Sequence, residues 1–317
     1  MRESVGRQIG CPLERGRLAG AEENLDLEED GVAFILALGA NALWAFALVL
    51  SKPALASMSA IAYGFVRPLI AAFLVLAYAL ATDTLAYPGL SVLGIAILGG
   101  FIGMFLGVAL FMYAVKRASA HIAGTLTNIA PLWGVTASVL WLHEEPHPTT
   151  FAAVALVIAG VYLLALRRGS LKGGFSIRGA AAAIGASMAW GVSDTAIARW
   201  CLLRGMTLQT LQLVSMSTAA VCWGIVAVGC QRTAPKHYPW SGMKYAVATS
   251  VIGLFIGMLL WYFALGQAPA SVLSPIRGSV VVFVFLWSML FLGERPTAHS
   301  LRGAVLILGG VLLVSFG

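Results

Sequence analysis

The sequence predicts an all-α integral membrane protein, in which ten transmembrane helices form two inverted five-helix repeats. Three observations support this fold class. Hydrophobic residues make up 60% of the chain and charged residues only 10%, a composition outside the range of soluble domains. The hydrophobic residues fall into long runs, and segments of the first half of the chain return in the second half.

The first 30 residues differ in composition from all that follow. They hold eight of the 13 acidic residues and four arginines, with almost no periodic apolar pattern. Such a segment cannot bury enough apolar surface to fold, so residues 1–30 are predicted to be a disordered tail. Because the tail lacks an apolar stretch before a small-residue cleavage site, we do not expect a secretory signal peptide.

Ten apolar runs follow the tail, each near the ~20 residues that a helix needs to cross the hydrocarbon of a bilayer. Strands are not expected, because a bilayer admits only helices or closed barrels and the runs lack alternation of polar and apolar residues. The predicted spans are 31–51, 58–82, 91–115, 119–142, 149–166, 179–200, 207–229, 243–266, 269–292 and 299–316.

An internal repeat relates the two halves of the chain. WLHEEPHPTTFAAVALVIAGVYLL (141–164) is similar to FLGERPTAHSLRGAVLILGGVLLV (291–314), and GMFLGVALFMYA (103–114) to GLFIGMLLWYFA (253–264), both at an offset of 150 residues. GANALWAF (39–46) is similar to GASMAWGV (185–192) at an offset of 146. The repeats are predicted at 31–166 and 179–317, joined by a linker at 167–178. Because each repeat has an odd number of spans, the two copies would enter the membrane from opposite sides.

The paired E-x-P segments, the glycines that follow them and the Trp near the first helix of each repeat resemble the drug/metabolite transporter superfamily, in its EamA-domain branch. The resemblance covers residues 31–317 and implies a ten-helix transporter, most often an exporter of a small metabolite or amino acid. One position departs from the family pattern. The family's proline, 13 residues before the Glu of the E-x-P segment, is Pro131 in span four, but Val281 stands there in span nine and Pro275 lies six residues earlier. Span nine is therefore expected to kink at a different height.

Charged side chains inside the spans are the first candidates for a binding site, because they are costly in a membrane. We call the side on which span one ends face A and the opposite side face B. Asp194 in span six and Arg277 in span nine both fall in the layer nearer face B, so an ion pair between them is geometrically allowed. Arg67, early in span two, falls nearer face A and has no obvious carboxylate partner.

Further candidates for a substrate-binding cavity follow from helical spacing. Asn41 and Trp44 share a face of span one, and Trp190 shares a face of span six with Asp194. Asn128 lies one turn before Pro131, which frees a backbone carbonyl. The predicted substrate-binding residues are thus Asn41, Trp44, Arg67, Asn128, Trp190, Asp194, Trp261, Tyr262 and Arg277.

Glycines and acidic turn residues are given structural roles. Gly99, Gly103 and Gly107 recur every four residues on one face of span three, which predicts close packing of helices. Glu144 and Glu294 follow the ends of spans four and nine as turn residues, so they are left out of the predicted site.

The sequence offers little support for an enzyme. It has no H-E-x-x-H, G-x-S-x-G or G-x-x-x-x-G-K-[ST] segment, and its four cysteines lack metal-ligand spacing. No catalytic residue, metal or cofactor is therefore expected. The favoured function is a secondary transporter that exports or exchanges a small polar metabolite or amino acid. A lipid flippase or a channel-like pore of the same fold stays open as an alternative, and a membrane-embedded enzyme is less favoured.

Charge also bears on the ligand and on the membrane. If Arg67, Asp194 and Arg277 all face the cavity, its net charge is +1, which favours an anionic substrate. The expected partners are the substrate, the lipid bilayer and a proton or counter-substrate for coupling, in a monomer or homodimer in the cell (inner or plasma) membrane. Nucleic acid is not expected, because the excess of basic residues lies in loops. The loop charges place face A in the cytoplasm, whereas the resemblance implies cytoplasmic termini on face B, and both orientations stay open.

Overall fold

The structure, a computed structural model, describes residues 12–117, 126–165, 176–230, 239–292 and 298–315. All regular structure within these ranges is helical. We number the helical segments in chain order and treat segments that follow one another without a break as one helix. They are α1 (Pro12–Ser57), α2 (Ala60–Ala81), α3 (Leu90–Arg117), α4 (Ala130–Leu142), α5 (Pro148–Ala165), α6 (177–203), α7 (Leu208–Gly229), α8 (Trp240–Gln267), α9 (270–292) and α10 (Ala298–Ser315).

Six of the described helices are long and apolar enough to cross a membrane: Gly31–Ser57 of α1, α2, α3, α7, α8 and Ala270–Phe291 of α9. Shorter apolar stretches are Ala130–Leu142, Pro148–Leu163 and Leu301–Val314. Large apolar side chains such as Phe73 and Leu140 are more than 70% exposed on the outside, whereas the interior is rich in alanine. An apolar outer surface of this kind is expected where lipid replaces water. The predicted all-α membrane class is thus confirmed.

Helices at corresponding positions in the two halves pack against each other with opposite directions. In the pair α5 and α10, Gly160 lies against Gly303 and Ile307, while Gly310 lies against Ala153. In the pair α2 and α7, the start of one helix meets the end of the other, since Gly64 contacts Trp223. In each pair, an early part of one helix contacts a late part of the other, so both pairs are antiparallel.

Two further antiparallel pairs, α1 with α8 and α3 with α6, bring the halves together in the interior. Gly39 of α1 faces Leu260, and Gly185 of α6 faces Leu110. Both α3 and α8 widen into π-helical turns in the middle, at Phe101–Gly107 and Ser250–Gly257. Such turns are frequent at functional sites.

The glycines of α3 permit the close packing that their spacing predicts. A Cβ added to Gly99 would lie 2.8 Å from the side chain of Ile197, and one added to Gly107 would lie 2.8 Å from the indole of Trp190. Gly103 has the side chains of Ser193 and Asp194 against it. Residues larger than glycine would separate α3 from α6 at this point.

The expectation that span nine kinks at a different height from span four is wrong. The helix before α4 is interrupted by a turn at 128–129, and α9 tightens into a 3₁₀ turn at Arg277–Ser279. At the offset of 150 residues these two interruptions coincide. Asn41 fixes the second one, because its Nδ2 donates to the carbonyl of Ile276 at 2.9 Å and to Ser279 Oγ at 3.0 Å. Tertiary hydrogen bonding thus supports the irregular turn of α9, which begins two residues after Pro275.

The predicted domain boundaries stay predictions. Helix α1 begins at Pro12, inside the segment predicted to be a disordered tail, and its membrane-spanning part begins at Gly31. Residues 1–11 and most of the predicted linker at 167–178 lie outside the described ranges. Glu294 lies outside them as well.

Candidate functional site

A cavity of about 370 Å³ lies between the two halves of the chain. Helices α1, α2, α3, α6, α8 and α9 and the segment around the start of α4 contribute to its wall. Six of the nine predicted site residues line it, namely Trp44, Arg67, Asn128, Trp190, Asp194 and Arg277. Asn41, Trp261 and Tyr262 do not line the cavity and are buried behind its wall.

The predicted ion pair between Asp194 and Arg277 is present. Arg277 Nη2 donates to Asp194 Oδ2 at 2.6 Å, and both side chains are largely buried. Ser193 Oγ donates to the other carboxylate oxygen of Asp194 at 2.9 Å. A buried pair that is also hydrogen-bonded avoids most of the cost of isolated charges. It joins α6 to α9 at the cavity wall.

Aromatic rings hold the Arg277 guanidinium in place. The centre of the guanidinium lies 5.2 Å from the ring centroid of Trp44 and 5.8 Å from that of Trp261. The two indole rings are themselves 5.4 Å apart. Trp261 Nε1 donates to the backbone carbonyl of Asp194 at 2.6 Å. Trp261 thus positions both members of the ion pair from behind the wall.

The two predicted mid-span tryptophans make the same hydrogen bond in opposite halves. Trp44 Nε1 donates to the carbonyl of Gly253, and Trp190 Nε1 donates to that of Gly103, each at 3.0 Å. Both accepting carbonyls lie in the π-helical turns of α8 and α3. Because a π-helical turn disturbs the regular hydrogen bonding of a helix, the indoles supply partners at these places.

The remaining predicted residues have separate surroundings. Asn41 is fully buried and bridges α1 to α9 through the bonds to Ile276 and Ser279 described above. Tyr262 is buried in the packing between α8, α6 and α7, where it borders a small recess together with Asp194. Asn128 lines the cavity from the turn that precedes α4.

Arg67 reaches the cavity from the face A side. Its guanidinium lies 4.9 Å from the ring centroid of Tyr63, one turn earlier on α2. Its Nε is buried and has no hydrogen-bond partner within the part of the chain that the structure describes. Those residues also offer Arg67 no ion pair, so its charge stands uncompensated in the wall.

On face B the halves are joined below the cavity. Glu144 accepts hydrogen bonds from the backbone N–H groups of Ala270, at 3.0 Å, and Ser271, at 2.8 Å, at the start of α9. Trp141 stacks on Trp200 with ring centroids 5.9 Å apart. Glu144 is thus a turn residue, as predicted, and also a tie between α4 and α9, a role that sequence reasoning missed.

Sequence reasoning also missed most of the apolar wall. Leu48, Met104, Phe111, Leu254, Met258, Val281 and Val284 line the cavity. One signal could have found Phe111, because it corresponds to Trp261 at the offset of 150 residues. Among the described residues, no cluster of three or more His, Cys, Asp or Glu side chains could hold a metal ion.

Comparison with known proteins places this geometry in a family. The profile of the family described as "EamA-like transporter family" matches the chain twice, at residues 31–166 and 177–316. A protein of known crystal structure covers 90% of the chain with a TM-score of 0.74 at 19% identity, with 97% of its own length matched, a likeness that concerns the fold.

Curated relatives match only part of the chain. A probable 4-amino-4-deoxy-L-arabinose-phosphoundecaprenol flippase subunit ArnE of Yersinia pestis (strain Pestoides F) is 40% identical over 70 residues, which are 22% of this chain and 61% of that relative. The protein of the same name from Aeromonas salmonicida (strain A449) is 33% identical over 87 residues, 27% of this chain and 75% of that relative. Together with the apolar helices, these matches identify a multi-pass protein of the inner membrane, as predicted.

Proposed function

Because the chain belongs to the EamA-like transporter family, we propose that it is a secondary transporter that works by alternating access. Its substrate would be a small polar metabolite or amino acid, which it exports or exchanges. The observation that carries the proposal is the cavity between the halves, with Arg67, Asp194 and Arg277 in its wall. Ionisable residues within membrane-spanning segments mark substrate pathways, because burying them without a function is costly.

The proposed architecture is ten membrane-spanning helices in two inverted repeats. The antiparallel packing of α2 with α7 and of α5 with α10 supports it, since corresponding helices of an inverted repeat run in opposite directions. The packing of α1 on α8 and of α6 on α3 supports it too, because exchanging the halves turns one pair into the other. In such folds the substrate site lies at the interface of the repeats, near the middle of the bilayer.

The direction in which the cavity extends fits one state of an alternating-access cycle. Its lining residues on α1, α2 and α4 come from the parts of these helices nearer face A. Toward face B the halves are tied by Glu144 and by the stack of Trp141 on Trp200. In the opposite state the ties at face B would open and the wall nearer face A would close.

Coupling and assembly belong to the same proposal. A counter-substrate or a proton would drive transport, and Asp194 is the buried carboxylate that a proton would reach. The protein would act as a monomer or homodimer, and no catalysis is part of its function.

Counterflow in proteoliposomes tests the transport proposal. Vesicles are loaded with one unlabelled L-amino acid or monocarboxylate, and uptake of the labelled compound is followed. A carrier gives saturable uptake that internal substrate accelerates, whereas a pore gives flux proportional to concentration. Arg277→Gln, with Asp194 kept, should strongly reduce transport, and Arg178→Gln is the matched control, because Arg178 is exposed and does not line the cavity. Flux proportional to concentration in the wild type would contradict a carrier mechanism.

A lipid flippase is the second candidate, favoured by the printed names of the relatives. The chain spans 61% of the length of the first relatives, and flippase activity is what their names state of them. A flippase would move a fluorescent short-chain lipid between leaflets of proteoliposomes, which a chemical quencher added outside reveals. Lipid movement without counterflow of any soluble compound would favour this candidate over the first.

A further inference from the structure

We propose that Arg67 receives the negative group of the ligand, and that the ligand is a singly charged anion with an apolar body. A carboxylate or a phosphate ester would meet this description. The inference deepens the proposed function, because it rests on the same cavity. It depends on three observations: the charges in the wall, the way Arg67 is held and the apolar character of the remaining surface.

The charges in the wall leave one positive charge without a partner. Among the described residues that line the cavity, the ionisable side chains are Arg67, Asp194 and Arg277. Asp194 is engaged by Arg277 at 2.6 Å and by Ser193 at 2.9 Å, so neither member of the pair is available without breaking a buried contact. The net charge of +1 therefore resides on Arg67. A monoanion would neutralise the cavity, whereas a cation would add to an uncompensated buried charge.

The guanidinium of Arg67 is held in position but not saturated. It lies over Tyr63, whose hydroxyl is fixed by two partners, Ser51 Oγ at 2.6 Å and Thr249 Oγ1 at 3.0 Å. This chain of hydroxyls joins α1, α2 and α8 and makes the ring a rigid platform. The buried Nε of Arg67 has no partner in the described part of the chain. The guanidinium lines the cavity without a carboxylate partner among the described residues, and its planar set of donors fits the two oxygens of a carboxylate or phosphate.

The rest of the wall calls for an apolar body on the anion. Trp44, Met104, Phe111, Leu254, Met258 and Val284 line most of the remaining surface. A bare inorganic anion would leave these side chains without contacts in a cavity of about 370 Å³. An aromatic or branched aliphatic group would fill the space and bury apolar surface on both partners.

Direct binding to the purified full-length protein tests the inference, by calorimetry at constant salt. Indole-3-acetate is the soluble anionic probe, and indole-3-acetamide has nearly the same shape without the charge. Dihexanoyl-phosphatidylglycerol presents the same single charge on a lipid, and sodium sulfate presents charge without an apolar body. We expect an anionic amphipath to bind at least tenfold more tightly than both the acetamide and sulfate. Preference between indole-3-acetate and the lipid identifies the source of the anion.

Variants then locate the contact. Arg67→Gln should weaken binding of the anion at least tenfold and leave binding of the acetamide unchanged. Arg67→Lys keeps the charge and should retain partial binding, which preserves the test if the glutamine variant does not fold. Arg178→Gln removes an exposed arginine outside the cavity and should leave the dissociation constant unaltered.

The outcomes separate this inference from the proposed function. Three results would each overturn the role of Arg67. They are equal affinity for indole-3-acetate and indole-3-acetamide, unchanged affinity of Arg67→Gln for indole-3-acetate, and no binding of any anionic probe at millimolar concentration. Counterflow of a neutral compound would still leave transport standing in those cases. Tight anion binding through Arg67 without counterflow of any probe would support the inference about Arg67 and contradict the proposed transport function.

Discussion

Trp44 in the first half and Trp190 in the second half have matching surroundings. Each donates from its indole to a glycine carbonyl in a π-helical turn at 3.0 Å. Each also packs against one aromatic ring at the same inclination of 51°, Trp261 for Trp44 and Phe111 for Trp190, at 5.4 and 5.6 Å. The backbone frame around the cavity is thus built twice.

The charged residues of the cavity wall, in contrast, are not repeated in the two halves. At the offsets that relate the halves, Asp194 corresponds to Leu48, and Arg277 corresponds to Thr127. All four residues line the cavity, so the asymmetry lies in the wall itself. The backbone and tryptophan contacts around the cavity thus occur in both halves. The Asp194–Arg277 ion pair and Arg67, which has no ion pair among the described residues, have no charged counterparts, so the two sides of the cavity differ in charge. Substitutions that break or extend this asymmetry should therefore differ sharply in effect.

The largest effect is expected for Asp194→Asn. It leaves Arg277 charged and buried without its carboxylate, which costs ~3–5 kcal/mol in buried pairs. Adding Arg277→Gln to the same protein removes the orphaned charge and should restore much of the lost stability. The measurement is the denaturant midpoint in detergent for the wild type, both single variants and the double variant. Additive losses in the double variant would show that the pair does not act as a unit.

Glu144→Gln tests the tie at face B. The substitution removes the charge that accepts two backbone N–H groups of α9, and hydrogen bonds to charged groups contribute ~1.5–3 kcal/mol. We expect the face B side to open more often. A cysteine at the buried position Ser274, in a background without native cysteines, should react faster with a maleimide. Glu145→Gln is the control, because the neighbouring carboxylate is exposed. Equal labelling in both variants would contradict the role of Glu144.

Gly160→Ala and Gly310→Ala test whether the frame is symmetrical. A Cβ at Gly160 would lie 2.6 Å from the carbonyl of Gly303, and one at Gly310 would lie 2.8 Å from that of Ala153. Overpacking of this kind costs ~1–3 kcal/mol, and we expect similar losses of stability for both. Gly309→Ala, which has open space, should be close to neutral. A large difference between Gly160→Ala and Gly310→Ala in thermal unfolding would count against a matched pair of helices.

The smallest effect is expected for Trp44→Phe and Trp190→Phe. Each loses one hydrogen bond to a glycine carbonyl, at ~0.5–1.5 kcal/mol. Stability should fall about equally, but binding of indole-3-acetate should weaken more for Trp44→Phe, because Trp44 lies close to the Arg67 guanidinium: a Cβ added to Gly253 would be 4.0 Å from Trp44 Cδ1 and 3.7 Å from Arg67 Nη2. Equal changes in affinity would count against a role of Trp44 beside the bound anion.

Much of this arrangement could be predicted from residue spacing. Glu144 and Pro146 recur as Glu294 and Pro296, which indicated the repeat, and Asp194 and Arg277 stood out because charges are rare within apolar runs. The layer assigned to each followed from the rise of a helix, so their pairing could be expected. Arg67 lacked a carboxylate in the same layer, and within the described residues it has no ion pair.

Other features could not be read from the sequence. Asn41 and Trp261 were expected in the cavity, but they hold the backbone of α9 and the carbonyl of Asp194 from behind. Helical spacing gives the face on which a side chain lies, but not which of two neighbouring helices that face meets. The contact of Glu144 with α9 had no signal for the same reason, since its partners are backbone N–H groups 126 and 127 residues away.

By itself, the sequence determined that the chain is helical, lies in a membrane and carries two related halves, because composition and repetition act locally along the chain. Only the tertiary structure decided that Arg277 is neutralised while Arg67 is not, because that depends on which side chains approach within hydrogen-bonding distance. It also decided how the irregular turn of α9 is held, because Asn41 donates to the carbonyl of Ile276 from another helix.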